Sequence, residues 1–253
     1  MLIDSHCHID FDIFDTDRDA LLAECKQHHI ARIIVPGVTA NRWYKLLSLS
    51  AKFSEIEYAL GLHPMFMDKH QPTDITLLHD YLEQNQPVAI GEIGLDFYQA
   101  EHDKESQINL FEQQLKLADA FDLPVILHVR KAHNAVLQLL KKHRVKGGIV
   151  HAFSGSEQEA QQYIKLGFLL GIGGTITYEK ATRVRRLFSD LPLSAIALET
   201  DAPDMPLQGQ AGRRNSPLSL VHIVSRLATL RTEKLDVIAQ ITSDNVSQLF
   251  SLS

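Results

Sequence analysis

Short apolar runs without polar alternation recur along the chain. Each is followed by a turn and then by a stretch with helical spacing. The runs are Leu2–His8, Arg32–Pro36, Glu57–His63, Val88–Glu92, Pro124–His128, Gly148–His151, Phe168–Gly171 and Ala195–Glu199. Runs of this kind suit strands whose two faces are both buried, as in a parallel sheet. Between them, Ile108, Phe111, Leu115 and Ala118 recur at spacings of three and four, which puts an apolar stripe on one helix face. Asn134–His143, Glu157–Leu166 and Thr182–Phe188 read as helices in the same way. Strands alternating with helices predict βαβ units and a parallel sheet. Eight such units in 253 residues predict an α/β fold with a single (β/α)8 TIM barrel over residues 1–253. The alternative is an open doubly wound sheet. That architecture would carry a glycine-rich phosphate loop after its first strand, and none follows here.

Two segments break the rhythm. Thr200–Asn215 is a long connection containing Pro203, Pro206, Gly209 and Gly212. It follows the last strand, so it is expected to overhang the C-terminal mouth of the barrel. Ser216–Leu252 reads as two or three closing helices.

Composition narrows the function classes. The net charge of −6 argues against a protein that coats nucleic acid by bulk electrostatics. It leaves room for an enzyme with a local basic rim. No apolar run approaches the roughly 20 residues that span a bilayer, and no basic-then-apolar leader precedes the first strand, so the expected compartment is the cytoplasm. The two cysteines, Cys7 and Cys25, form no Cys-x-x-Cys pair, so both are expected as free, buried thiols.

The 13 histidines are the compositional oddity, and several fall where strands end. His6 and His8 flank Cys7. In an extended backbone they point the same way and Cys7 points the other. His63, His128 and His151 close three further strands, and Glu92, Glu199 and Asp201 stand at two more. Strand C-termini are where such barrels build active sites. Imidazoles and carboxylates converging on one mouth predict a two-metal hydrolytic site. In such a site His6, His8 and Asp201 would hold one ion, His128 and His151 the second, and Glu92 would bridge them. The donor types suit zinc, manganese, magnesium or a similar divalent ion. A hydroxide held by the ions would be the nucleophile, with Asp201 able to take its proton as general base.

Asp4-Ser-His-Cys-His8, Gly61-Leu-His-Pro64, Gly91-Glu-Ile-Gly-Leu-Asp-Phe97, His128-Val-Arg130, His151-Ala-Phe-Ser-Gly155, Glu199-Thr-Asp-Ala-Pro203 and Arg214-Asn215 together resemble the TatD family of metal-dependent deoxyribonucleases. The resemblance runs from residue 2 to about residue 250, where Asn245–Phe250 looks like the family's closing helix. It implies a TIM barrel, two divalent metals and hydrolysis of DNA phosphodiesters. The family's ligands fall on His6, His8, Glu92, His128, His151 and Asp201, and His63 lies beside the metals. One position departs from the family pattern. Asp204 stands where members often carry an aromatic residue, and it bears on the substrate loop alone.

Arg130, two residues beyond His128, and Arg214, at the end of the long loop beside Arg213, are the cations expected to hold a phosphate together with His63. Asp96 and Glu199 are expected to orient ligands. Arg183, Arg185 and Arg186 read as a solvated helix face. His28, His29, His70, His79, His102, His133, His143 and His222 receive no role. The leading function is a deoxyribonuclease acting on DNA ends, as an exonuclease or 3′-repair activity. An amidohydrolase-like enzyme cleaving a small ester, lactone or amide is the alternative, because the same nucleophile attacks carbonyl carbon. A metal-binding scaffold that has lost turnover is the third, and it would be expected to lack some of the six ligands. No membrane and no obligate protein partner are expected.

Overall fold

Eight strands lie parallel and pair in sequence order: β1 (Leu2–Asp4), β2 (Ile30–Pro36), β3 (Ile56–Leu60), β4 (Ala89–Asp96), β5 (Val125–Arg130), β6 (Gly148–Val150), β7 (Phe168–Ile172) and β8 (Ile196–Leu198). The computed structural model describes residues 1–98 and 103–252. His102 therefore lies outside the described residues. The helices are α1 (Arg18–Gln27), α2 (Trp43–Lys52), α3 (Asp74–Gln84), α4 (Lys104–Ala120), α5 (His133–Leu140), α6 (Glu157–Lys165), α7 (Thr182–Asp190), α8 (Ser219–Ala228) and α9 (Leu235–Phe250).

The predicted barrel is present. β8 meets β1 through the Ser5 N–H donating to the Leu198 carbonyl at 2.9 Å and through the Asp4 carboxylate, which accepts from the Thr200 backbone N–H at 2.9 Å and the Thr200 hydroxyl at 2.6 Å. Inward-facing side chains fill the lower lumen: Ile3, Ile34, Ala59, Ala89, Ile126, Ile149, Leu169 and Ala197. Five large aliphatic residues share the ring with three alanines, Ala59, Ala89 and Ala197, which leaves a filled interior. Val246 and Phe250 of α9 close its floor. The outward faces of the strands pack on the helices in a second, larger core. There the α4 stripe buries Phe111, Leu115 and Ala118, as its spacing predicts. α6 starts at a reciprocal cap in which Ser156 and Glu159 satisfy each other's backbone N–H. The closing segment forms two helices, α8 and α9.

Strand ends differ from expectation where the chain reaches the mouth. β1 stops at Asp4, four residues before His8, and β3 stops at Leu60, before His63. β4 and β5 run further, to Asp96 and Arg130. Gly94 explains the extra length of β4. A Cβ there would stand 2.1 Å from the His128 carbonyl oxygen, and the φ of +138° suits glycine. Only a residue without a side chain lets the two strands stay paired past Glu92.

Thr200–Asn215 contains neither helix nor strand. Asn215 ties it down: its amide nitrogen donates to the carbonyls of Thr200 at 2.9 Å, Asp204 at 2.8 Å and Met205 at 3.2 Å. Cys7 and Cys25 are free and buried. Among the described residues, no helix is long and apolar enough to cross a membrane.

Candidate metal centre

The strand ends deliver one buried polar cluster to the mouth. His6 and His8 follow β1 in a backbone that is no longer strand, yet both rings turn inward with their Nε2 atoms 3.3 Å apart. Cys7 between them turns away into the apolar core. Glu92 Oε2 lies 3.2 Å from His6 Nε2 and 3.4 Å from His8 Nε2. Asp201 Oδ1 lies 3.6 Å and 3.7 Å from the same two nitrogens. His6 Nε2 and His8 Nε2 thus each lie within 3.7 Å of both carboxylates. A tetrahedral ion with bonds of about 2.0–2.1 Å needs ligand–ligand edges of roughly 3.3–3.5 Å. The observed separations, 3.2–3.7 Å, fit such an ion. His6 Nδ1 and His8 Nδ1 are buried without a hydrogen-bond partner, so both rings turn their partnered Nε2 atoms towards the carboxylates.

The other half of the cluster is arranged differently from the sequence expectation. Glu92 Oε1 lies 3.0 Å from His63 Nε2 and 3.2 Å from His128 Nδ1. Asp96 Oδ2 takes the far nitrogen of His128, Nε2, at 3.0 Å. His128 and His151 are not close neighbours, their ring centroids being 6.3 Å apart. His151 instead stacks on His6 at 3.9 Å. Its Nδ1 stands 3.0 Å from Glu199 Oε1 and its Nε2 3.7 Å from Asp201 Oδ2. Metal-competent groupings therefore also include His63, Glu92 and His128, and His6, His151 and Glu199.

His63 has a defined tautomer. Its Nδ1 accepts the Met65 N–H at 3.0 Å, so in the neutral ring Nε2 carries the proton and donates it to Glu92. That contact orients the carboxylate. Glu199 reaches back to the Ala152 N–H at 2.6 Å while facing His151, so it steers that ring. Asp4 was not singled out from the sequence. It is fully buried and also accepts the His6 N–H at 3.3 Å, which fixes the turn that carries both histidines. Its signal was there: an acidic residue closing the first apolar strand.

Burial and neighbouring charge set the electrostatics. Burial alone would raise the Glu92 carboxyl, but His63, His6 and His128 hold it well below the usual range. Burial pushes Asp201 up to about 6, against the pull of His151 and His8. Burial and the neighbouring His151 hold His6 well below its ordinary value, and burial brings His63 down to about 4. Burial opposes charge on His151 too, but Glu199 and Asp201 outweigh it and raise the ring to about 10. His151 is thus favoured as a cation by its two carboxylates, while burial favours the neutral ring at His6 and His63.

Two adjoining cavities open from the cluster. One, of about 170 Å³, is walled by Phe11, Met65, Phe66 and Asp204. The other, of about 330 Å³, is walled by Arg130, Ala152, Ser154 and Met205. His128, His151 and Asp201 line both. Arg130 is exposed at the rim, its guanidinium 3.7 Å from the centre of the Tyr98 ring. Arg214 is engaged elsewhere: it grips Asp17 with both terminal nitrogens, at 2.9 and 2.5 Å, donates to the Ile13 carbonyl at 2.9 Å and lies over Phe14. Its fork is filled, so it clamps the long loop to the segment after β1. Arg213 is exposed on the same loop. Arg183 donates to the Ser154 carbonyl at 2.5 Å. His70, which received no role, lies with Nε2 2.9 Å from the His63 carbonyl.

A barrel of this topology with a buried imidazole–carboxylate cluster at its C-terminal mouth defines a metal-dependent hydrolase. Residues 3–251 match the family described as TatD related DNase, and the chain belongs to that family. It is 42% identical over 253 residues to the metal-dependent hydrolase YjjV of Escherichia coli K12, covering 99% of this chain and 98% of that one. The crystal structure of the E. coli YjjV TatD homologue superposes with a TM-score of 0.97, covering 100% of this chain and 98% of that one at 42% identity. A relative from Erwinia tasmaniensis, the 3′-5′ ssDNA/RNA exonuclease TatD, is 33% identical over 248 residues, with 94% and 95% of the two chains covered.

Proposed function

We propose that this chain is a divalent-metal-dependent phosphodiesterase that removes nucleotides from single-stranded nucleic acid ends. The observation that carries the reading is the meeting of His6 and His8 with both Glu92 and Asp201, with His128 and His151 at its edges. The name of the Erwinia relative supports a single-stranded substrate. Two ions drawn from zinc, manganese and magnesium, and a cytoplasmic setting, complete the proposal.

Bound there, divalent ions supply Lewis-acid polarisation of the phosphoryl oxygen and ionisation of water near neutral pH. Asp201 faces both His8 and His151, so its carboxylate is the group to accept the proton of the attacking water. Glu92 spans the cluster, with Oε2 towards His6 and His8 and Oε1 towards His63 and His128. The His63 contact keeps it from rotating. Arg130 stands at the open side, where its guanidinium can hold an anionic phosphate oxygen in two hydrogen bonds. Phe11, stacked on His8 with centroids 4.8 Å apart, shields the inner side from water.

A second reading has its own observation. Asp204 brings a carboxylate to the smaller cavity, and Arg214 is spent on Asp17. Fewer free cations would suit an uncharged ester, lactone or cyclic amide. One screen decides: the metal-reconstituted enzyme against labelled single-stranded DNA, RNA, duplex DNA, a small phosphodiester, lactones and cyclic amides. We expect single strands to be cleaved from an end with the highest kcat/KM. Lactone turnover without any on oligonucleotides would overturn the nuclease reading.

A further inference from the structure

Beyond the metal cluster, the mouth carries an aromatic surface flanked by cations that hydrolysis itself does not use. Tyr98 is 52% exposed. Its backbone N–H donates to Asp96 Oδ1 at 2.9 Å, and the other oxygen of that carboxylate holds His128. The Tyr98 backbone is thereby tied to the cluster through one buried side chain. Arg130 lies 3.7 Å and Lys131 Nζ 4.7 Å from the ring centre. Arg130 acts on the Asp96 carboxylate by charge at a distance, and among the described residues neither cation closes an ion pair. Arg130 lines the cavity that holds His128, His151 and Asp201, and Lys131 lines a separate one, of about 360 Å³, with Phe97 and His133. In a chain of net charge −6, two cations over an exposed ring, one of them lining the active-site cavity, are a local exception.

We infer that Tyr98, with Arg130 and Lys131, forms a stacking platform for a nucleobase of the single strand next to the cleaved bond. This rests on the nuclease reading above and deepens it, by naming what selects a single strand. A base in a duplex has both faces covered by its neighbours, and only an unstacked base offers a face to the phenol ring. Stacking on an aromatic residue tolerates any base, and adjacent cations follow the backbone phosphates. Arg130 serves both surfaces: its guanidinium lies 3.7 Å from the Tyr98 ring centre, and its N–H groups can hold the anionic strand. The platform predicts single-strand preference without sequence preference.

The test compares Tyr98→Ala and Tyr98→Phe with the wild-type full-length protein. Each is assayed on a single-stranded oligonucleotide, on the same strand with an abasic residue at each of the positions nearest the cleaved end, and on a small phosphodiester. A parallel measurement follows quenching of a 2-aminopurine base near that end when the metal-loaded protein binds. Tyr98→Ala is expected to raise KM on the normal strand about five- to a hundredfold and to abolish the quenching. It should leave the small phosphodiester untouched and add nothing to the defect of the abasic strand. Tyr98→Phe should behave as wild type. Equal turnover and quenching in Tyr98→Ala and wild type would overturn the platform and leave the nuclease reading standing. An equal loss on the small phosphodiester would also overturn it, making Tyr98 a support for His128. A wild type that neither binds nor cleaves any oligonucleotide would bring down the nuclease reading, and the platform with it.

Discussion

The two ends of the barrel are built by the same eight strands and share almost nothing chemically. At the floor, Ile3, Ile34, Ala59, Ala89, Ile126, Ile149, Leu169 and Ala197 pack with Val246 and Phe250. At the mouth, His6, His8, His63, His151, Glu92 and Glu199 are just as buried, but polar. Burial of apolar area stabilises the first arrangement outright. The second has a desolvation cost that its carboxylate–imidazole contacts offset only in part. The difference teaches a division of labour. The floor holds the barrel shut, and the mouth gathers polar groups whose burial costs stability. Conservation of function therefore depends on one end and stability on the other.

The comparison breaks most visibly if Glu92 is removed. Glu92→Ala, or chelation of the wild type, is expected to cut turnover by about a thousandfold or more, since Lewis-acid stabilisation is worth several kcal/mol. Zinc or manganese should restore the chelated wild type. Elemental analysis should find less metal in Glu92→Ala, and full turnover with full metal content would remove Glu92 from the centre. At the floor, Phe250→Ala should cost about 3–5 kcal/mol of stability, measured by denaturant unfolding. Its kcat at low temperature should stay near wild type, and a large loss there would mean that the two ends are coupled.

The two arginines sharpen the contrast within the mouth itself. Arg130→Gln is expected to lower kcat/KM on a phosphodiester about ten- to a hundredfold, with little effect on a neutral ester. Arg214→Gln should leave the charged-to-neutral ratio unchanged and cost at most about 1 kcal/mol, as its pair with Asp17 is partly exposed. A ratio that moved with Arg214 would return it to the substrate. The smallest effect concerns the thiols. Burial pushes Cys25 up to about 12 and Cys7 well above its ordinary value, so both stay protonated at pH 8. Neither should react with a thiol reagent until the protein unfolds, and Cys7→Ala should keep its metal content.

The sequence made the architecture legible because each strand is a short apolar run and each helix a striped one. It also put His6 and His8 on one side and Cys7 on the other. That outcome holds although the backbone leaves the strand at Asp4, because Asp4 keeps the following turn in place. Strand length at β4 was not legible, since Glu92 and two glycines read as a stop. Only the close approach of the His128 carbonyl shows why Gly94 continues the strand. The partner of Arg214 was hidden for a different reason. Asp17 lies 197 residues upstream, and no local pattern links a loop guanidinium to so distant a carboxylate. Likewise the tautomer of His63 depends on the Met65 N–H, and the pairing of His128 with Glu92 and Asp96 instead of His151 depends on side-chain rotation.

The seam between β8 and β1 bears on how the chain assembles. Neighbouring strand pairs elsewhere are local, each closing a loop of one helix. The last junction joins residues 196 positions apart, Asp4 to Thr200. Contacts of such sequence separation form late, because the chain between them must already be ordered. The His6 carbonyl accepts the Asp201 N–H at the same junction, 2.9 Å away, so ring closure and alignment of His6 with Asp201 go together. Acquisition of metal-binding affinity during refolding is then a clock for the final step of barrel formation.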